Sequence, residues 1–211
     1  VESMSRAPWS MPKPLKAPTT APPKIYDTTV GWRYENPKMN ELYPIISLGE
    51  GAELIAEDMQ ITREEQDAFA LESHARAITA INKGRFKDEI VAVKVPQRKG
   101  EPLIIDTDEH PRYDRTNGHL DIAIDMAALG QLRPAFKTDG SVTAGNSSGI
   151  NDGAAALLMS SRLKADSLGL RPMLRWMGSA SVGTDPRYFG YGPVSATEKL
   201  LKRFDLKIDD I

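Results

Sequence analysis

Apolar residues recur at three- and four-residue steps in two consecutive stretches upstream of the chain's midpoint. Ala52, Ile55, Ala56 and Met59 fit a short amphipathic helix, and Ala68, Leu71, Ala75 and Ile78 draw one stripe along a longer one. Thr62 followed three residues later by Glu65 is a capping box that starts the longer helix, and Gly84, just past Lys83, offers a left-handed stop. The pattern then changes period. Ile90 to Val95 alternates and is β-branched, Lys99 and Gly100 suit a turn, and Leu103 to Ile105 reads as the returning strand. Leu120 to Leu132 predicts a third amphipathic segment, with Ile122, Met126 and Leu129 on one side and Pro134 as its interruption.

Beyond Ser141 the residues become small and apolar. Ala154 to Met159 predicts a strand buried on both faces, of the kind found in central sheets. Ser161 then caps a helix ending at Gly169, and Met173 to Val182 predicts another strand. Ser195 with Glu198 caps a last helix whose Leu200, Leu201 and Phe204 face inward. This alternation predicts α/β layers. The first fifth of the chain differs: eight of the 15 prolines lie between Pro8 and Pro44, so the stretch is an irregular arm. Trp9, Ile25, Tyr26, Trp32, Tyr34, Met39 and Tyr43 give that arm more apolar bulk than a flexible linker carries, so it is expected to pack on something.

Charge and composition narrow the function classes. Lys plus Arg number 27 against 29 Asp plus Glu, a net charge of -2, so no overall basic field exists to draw nucleic acid or an anionic membrane. An anionic ligand would have to be held by a local patch. There is no Cys, which removes disulfides, thiolate metal sites and a cysteine nucleophile from these residues and suits a reducing compartment. The apolar runs fall far short of the roughly 20 residues that span a bilayer, and the expectation is a soluble, cytoplasmic protein.

The segment GNSSGINDGAA, Gly145 to Ala155, resembles the internal signature of the thiolase family. The resemblance runs along nearly the whole chain in family order: VESMSRAP at the start, REEQDAFALESHARA at Arg63 to Ala77, GRFKDEIVAV at Gly84 to Val93, DEHPR at Asp108 to Arg112, LRPAFKTDGSVTAGNSSGINDG at Leu132 to Gly153, and DPRYFGYGPV at Asp185 to Val194. It implies an α/β fold in which two βαβ halves stack as an α/β/α/β/α sandwich, with a loop domain inserted in the first. On this map residues 1–3 end the N-terminal half, 4–150 form the α+β loop domain that binds coenzyme A, 151–170 return to the N-terminal half and 171–211 open the C-terminal half. The family's nucleophilic Cys lies before VESMS, and its NEAF, GHP and second Cys motifs lie after Ile211. No catalytic residue is therefore assigned here, and the isolated 211 residues are expected to be inactive. His74, His110 and His119 sit in helix or charged-loop contexts unlike a catalytic elbow.

The resemblance implies coenzyme A as a substrate and no tightly bound cofactor. Ser148 matches the family serine that bonds a pantetheine amide, and Gly145, Ser147 and Gly149 would let ligand approach the backbone. On the residues alone the same stretch reads as a turn satisfying its own backbone. Arg112 matches a position associated with the adenosine-phosphate end of coenzyme A, where paired guanidinium donors suit phosphate oxygens; otherwise it is a solvated charge beside Asp108 and Glu109. Phe136 lines the ligand path or packs in the core. Ser47 and Leu48 replace a His-Met pair of short-chain members, and Phe189 replaces a Met, changes that alter acyl-pocket volume. With DTTVGWRYENPKM at Asp27 to Met39, similar to β-ketoadipyl-CoA and related degradative thiolases, they lean toward cleavage of 3-oxoacyl-CoA rather than acetoacetyl-CoA synthesis. The alternative is a noncatalytic coenzyme A-binding or interaction protein. Acyl-CoA and coenzyme A are the expected small-molecule partners, and a homodimer or homotetramer is expected, with Trp9 to Tyr43 contacting a neighbour. Asp106, Asp108, Glu109 and Asp114 lack the glycine spacing of a calcium loop, and the glycines of AGNSSG and GYGP do not form a dinucleotide fingerprint.

Overall fold

The computed structural model describes residues 1–14 and 22–211. In chain order the elements are β1 (Trp9–Ser10), β2 (Tyr26–Asp27), α1 (Pro37–Leu42), α2 (Leu48–Asp58), α3 (Arg63–Asn82), β3 (Val93–Val95), β4 (Leu103–Ile105), β5 (Tyr113–Thr116), β6 (His119–Ile122), α4 (Met126–Gly130), α5 (Arg162–Ser167) and α6 (Gly192–Phe204). They group into two compact units, Leu48–Ile150 and a second made of Val1–Ser47 with Asn151–Ile211. The first unit is smaller than the 4–150 span expected of the loop domain. Residues up to Ser47 group instead with the stretch after Ile150, because Glu2 and Gly153 exchange backbone hydrogen bonds of 2.7 and 3.0 Å and Ser5 N–H donates to Asp152 Oδ1 at 2.9 Å.

Within Leu48–Ile150, α3 is the spine. Thr62 Oγ1 accepts from Glu65 N–H at 3.2 Å while Thr62 N–H donates to Glu65 Oε2 at 2.8 Å, the reciprocal box expected from the sequence. These donors also hold the Glu65 carboxyl below its usual range, the Thr62 backbone N–H more than its hydroxyl. Past the helix, Gly84 takes φ +66°, a left-handed conformation that glycine adopts without strain. The buried stripe is displaced from the expected one: Ala68 is exposed, and Asp67 as well as Ile78 is buried. A carboxyl side chain can occupy that face because Arg63 and Asn146 supply its partners.

β3 pairs antiparallel with β4, Val93 opposite Ile105, but it begins three residues later than expected. The third amphipathic helix is not formed as predicted. Residues 119–122 are a strand, and the helix is confined to Met126–Gly130, capped by Asp125 Oδ1 accepting from Ala128 N–H at 2.7 Å. The reason is Asn117-Gly118, with φ +51° and +84°, a pair suited to a two-residue hairpin turn whose twist matches the paired strands β5 and β6. This local turn outweighs the helical period. Leu120 then points inward at 3% exposure, and Leu129 of α4 is fully buried.

In the other unit β1 pairs with β2 in a two-residue ladder, Tyr34 Oη donates to Ser10 Oγ at 2.7 Å, and Trp32 Nε1–H donates to Ile46 O at 2.7 Å. The part of the arm at residues 15–21 lies outside the described residues. Neither Ala154–Met159 nor Met173–Val182 is a strand, and Leu157, Leu158, Met173 and Leu174 are 85–95% exposed. A strand exists only against a partner's edge, and among the described residues no neighbour pairs with either stretch, the nearest bridge being Glu2–Gly153 just before the first. α5 begins as expected, with Ser161 Oγ accepting from Lys164 N–H at 3.3 Å, and Gly169 follows it at φ +65°. α6 starts three residues before Ser195, with Pro193 in its first turn, where the missing N–H costs nothing. Its Leu200, Leu201 and Phe204 are half-buried, and the Phe204 ring lies so close to Gly178 that a Cβ there would sit 2.8 Å from it.

Candidate functional site

The turn from Gly140 to Ser147 is built around two buried carboxylates. Glu53 of α2, 3% exposed, accepts from Ser141 N–H, Ser141 Oγ–H and Val142 N–H at 2.8 to 3.1 Å. Asp67 of α3 accepts from Asn146 Nδ2 at 2.9 Å and pairs with Arg63 Nε at 2.7 Å, while Arg63 also donates to Leu129 O. Asn146 closes the turn on itself, accepting from Thr143 N–H at 2.7 Å and donating to Ser141 O at 3.0 Å. Among the described residues no buried side-chain polar atom lacks a partner, so burying this network leaves none of its polar groups unpaired.

The turn also has no room to spare. A Cβ on Gly145 would stand 2.5 Å from Leu132 Cδ1 and 2.6 Å from Leu129 Cδ2, and one on Gly140 would stand 2.2 Å from Glu53 Oε1. Glycine at these two positions is therefore required by packing against the protein itself.

Beside this turn lies a cleft of about 240 Å³ lined by His74, His110, Arg112, Ile124, Leu132, Ala144, Gly145 and Ser147. Its floor is apolar, and its polar side chains are those of His74, His110, Arg112 and Ser147. His74 projects from α3, and its Nδ1 lies 3.3 Å from the Arg112 backbone N–H, which donates to it. Arg112 O in turn accepts from Ala123 N–H at 2.9 Å, so the β5–β6 hairpin fixes the arginine from its other side. The His74 and His110 rings stand 5.9 Å apart at an interplanar angle of 39°. Burial, followed by the neighbouring His110 and Arg112 charges, pushes the His74 pKa down from its ordinary value. The Ser147 hydroxyl is turned inward and donates to Thr143 O.

The structure thus brings Arg112, Gly145 and Ser147 together and does not bring in the other expected residues. Ser148 and Gly149 are exposed just after the turn and do not line the cleft. Phe136 is 40% exposed and covers Gly49, whose Cβ would be 2.3 Å from the ring. Leu48, 73% exposed, opens α2, whereas Phe189 belongs to the other compact unit. His74 and His110 are the residues that sequence reasoning set aside. His74 shares a helix face with Leu71 and Ile78, three residues before it and four after, which was the available signal. A second, wider depression of about 510 Å³ runs between α3 and β6, lined in part by Asn82, Lys83, His119 and Asp121. Among the described residues no group of three or more His, Asp or Glu is placed to hold a metal ion. None of the described helices is long and apolar enough to cross a membrane.

Residues 1–163 match the family described as "Thiolase, N-terminal domain". The chain is 46% identical over all 211 residues to a protein named β-ketoadipyl-CoA thiolase from Acinetobacter baylyi, covering 50% of it. It is 44% identical over 210 residues to the acetyl-CoA acetyltransferase of Chromobacterium violaceum, again covering 50%. In three dimensions it resembles the crystal structure of the Bacillus anthracis acetyl-CoA acetyltransferase, with a TM-score of 0.80 and 36% identity over 99% of this chain and 49% of that one. The chain spans about half the length of the curated relatives it matches.

Proposed function

The chain belongs to the thiolase family and carries a partial copy of its layered α/β fold, and from that premise we propose that it serves an acyl-CoA acyltransferase as the part that holds coenzyme A. The observation that carries this reading is the cleft itself: within the matched span, one guanidinium and two imidazoles share an apolar-floored hollow with the tightly packed glycine turn. Such a hollow suits a ligand with a phosphate-bearing end and an apolar body. Arg112 takes the adenosine-phosphate end, and the exposed Ser148 hydroxyl, one residue beyond the cleft wall, is available to a pantetheine amide. Ser147 and Gly149 flank it, and Phe136 stands at the α2 side, packed over Gly49. The Leu48–Ile150 unit is the coenzyme A-binding loop domain in this reading. No cofactor is tightly bound.

Thiolysis needs a thiolate that becomes acylated, a base and oxyanion donors. These 211 residues contain no Cys, so they hold substrate without supplying the chemistry. The substrate class is 3-oxoacyl-CoA, cleaved by thiolysis or formed by the reverse condensation. Its degradative direction is supported by the Asp27–Met39 segment and by relatives named β-ketoadipyl-CoA thiolase at 46 and 47% identity. The second reading is a noncatalytic coenzyme A-binding or interaction protein.

Calorimetric titration of the 211-residue protein with coenzyme A tests the site. Binding is expected, with Arg112→Ala weakening it about tenfold, as for loss of a charge-assisted contact. Ser148→Ala should weaken it less. Unchanged affinity in both variants would remove the basis for the site. The same protein incubated with acetoacetyl-CoA and coenzyme A is expected to leave the enolate absorbance unchanged; turnover that tracks the purified polypeptide would show the inactivity reading wrong.

A further inference from the structure

We propose that His74 and His110 act with Arg112 as the phosphate-recognising end of the cleft, so that ligand affinity depends on the protonation of this imidazole pair. The proposal rests on the reading of the cleft as a coenzyme A site and adds two ligand-binding residues and a pH dependence to it.

Both imidazoles and the guanidinium line the same cleft, and the rings are 5.9 Å apart. His74 Nδ1 accepts the Arg112 backbone N–H, which fixes the neutral tautomer as the one carrying its proton on Nε2. Neutral His74 therefore already has one N–H donor left for a ligand oxygen. The charged groups facing it are His110 and Arg112, both from the segment between β4 and β5. Ile124 after β6, Leu132 after α4, and Ala144, Gly145 and Ser147 of the turn complete the walls and bring no titratable side chain. Among the described residues nothing anionic lines the cleft to balance the guanidinium and the two imidazoles.

A phosphate supplies that balance. In the empty cleft the neighbouring cations disfavour protonation of an imidazole, and a bound anion reverses the sign of that interaction. Binding is then coupled to uptake of a proton from solvent onto an imidazole nitrogen, which at His74 displaces the Arg112 N–H from Nδ1, and affinity rises as pH falls toward the ordinary histidine range. The ligand's own phosphate remains largely dianionic above its second ionisation near pH ~6, so the window from about pH 8 down to about 6.5 isolates the protein's contribution.

The test compares coenzyme A with pantetheine, which lacks the phosphate-bearing nucleotide, on the 211-residue protein by calorimetry across that window. For the wild type, coenzyme A affinity is expected to rise as the pH is lowered and pantetheine affinity to stay flat. His110→Asn and His74→Gln are each expected to weaken coenzyme A binding by about three- to fivefold, the range of a partly exposed charge pair, and to leave pantetheine unaffected. The pH dependence should disappear in the double variant. His110 is exposed, so its replacement reports even if the His74 variant is poorly folded. If Arg112→Ala weakens coenzyme A binding while the histidine variants keep wild-type affinity and pH profile, the histidine proposal is overturned and the site reading stands. If the wild type does not bind coenzyme A, both fall.

Discussion

Gly145 illustrates how a residue's apparent purpose changes once its neighbours are known. In the sequence it reads as room for a ligand to approach the backbone; in the structure the close approach is made by Leu129 and Leu132 of the protein itself. Gly145→Ala is therefore expected to destabilise the Leu48–Ile150 unit by about 1–3 kcal/mol through overpacking, read as a lower urea midpoint with little change in slope. A variant as stable as the wild type would mean that the two leucines yield without cost. Asp67 and Glu53 make the complementary point. Neither was visible as a core residue, because a carboxylate becomes buriable only through partners far away in sequence, Asn146 for one and Ser141 with Val142 for the other. The cleft histidines escaped for the same reason: His74 meets Arg112 only after the chain has folded back through the β3–β4 hairpin.

Elements whose signals are local were readable, and those that depend on partners were not. The capping box of α3, its glycine stop and the Ser161 cap of α5 all stand where residue chemistry places them. The β5–β6 hairpin had an equally local signal in Asn117-Gly118, but the apolar spacing from Leu120 to Leu132 fitted a helix and masked it. What secures that hairpin is not local. The Asn82 side chain, at the last turn of α3, donates to Leu120 O at 2.8 Å and accepts from Leu120 N–H at 3.0 Å, acting as a one-residue strand partner. Asn82→Ala leaves both Leu120 backbone groups unpaired at a residue only 3% exposed. A loss of about 1–3 kcal/mol is expected, together with faster amide exchange at Leu120 and, through the Ala123–Arg112 bond, at Ala123. Unchanged exchange at Leu120 would show that β6 is held by packing alone.

The molecule as a whole divides along the same line. Leu48–Ile150 has caps, a polar network and a buried Leu129 to organise it, whereas the layered sheet expected after Ile150 has sequence without ladder. Composition alone predicted those strands, since runs such as Ala154–Met159 suit a position covered on both faces. What composition cannot supply is the neighbouring edge, and the relatives this chain matches are about twice its length. Leu157, Leu158, Met173, Leu174 and Trp176 are left 67–95% exposed, although burying each such side chain is worth about 1.5–3 kcal/mol. Exposed apolar chain with unpaired backbone favours association. Light scattering of the 211-residue protein is therefore expected to show concentration-dependent assembly. Replacing Leu157 and Leu174 with Lys should shift it toward smaller species without moving coenzyme A affinity, since neither residue belongs to the unit that carries the cleft. A monodisperse monomer at high concentration would mean that these stretches are covered in solution by the chain itself.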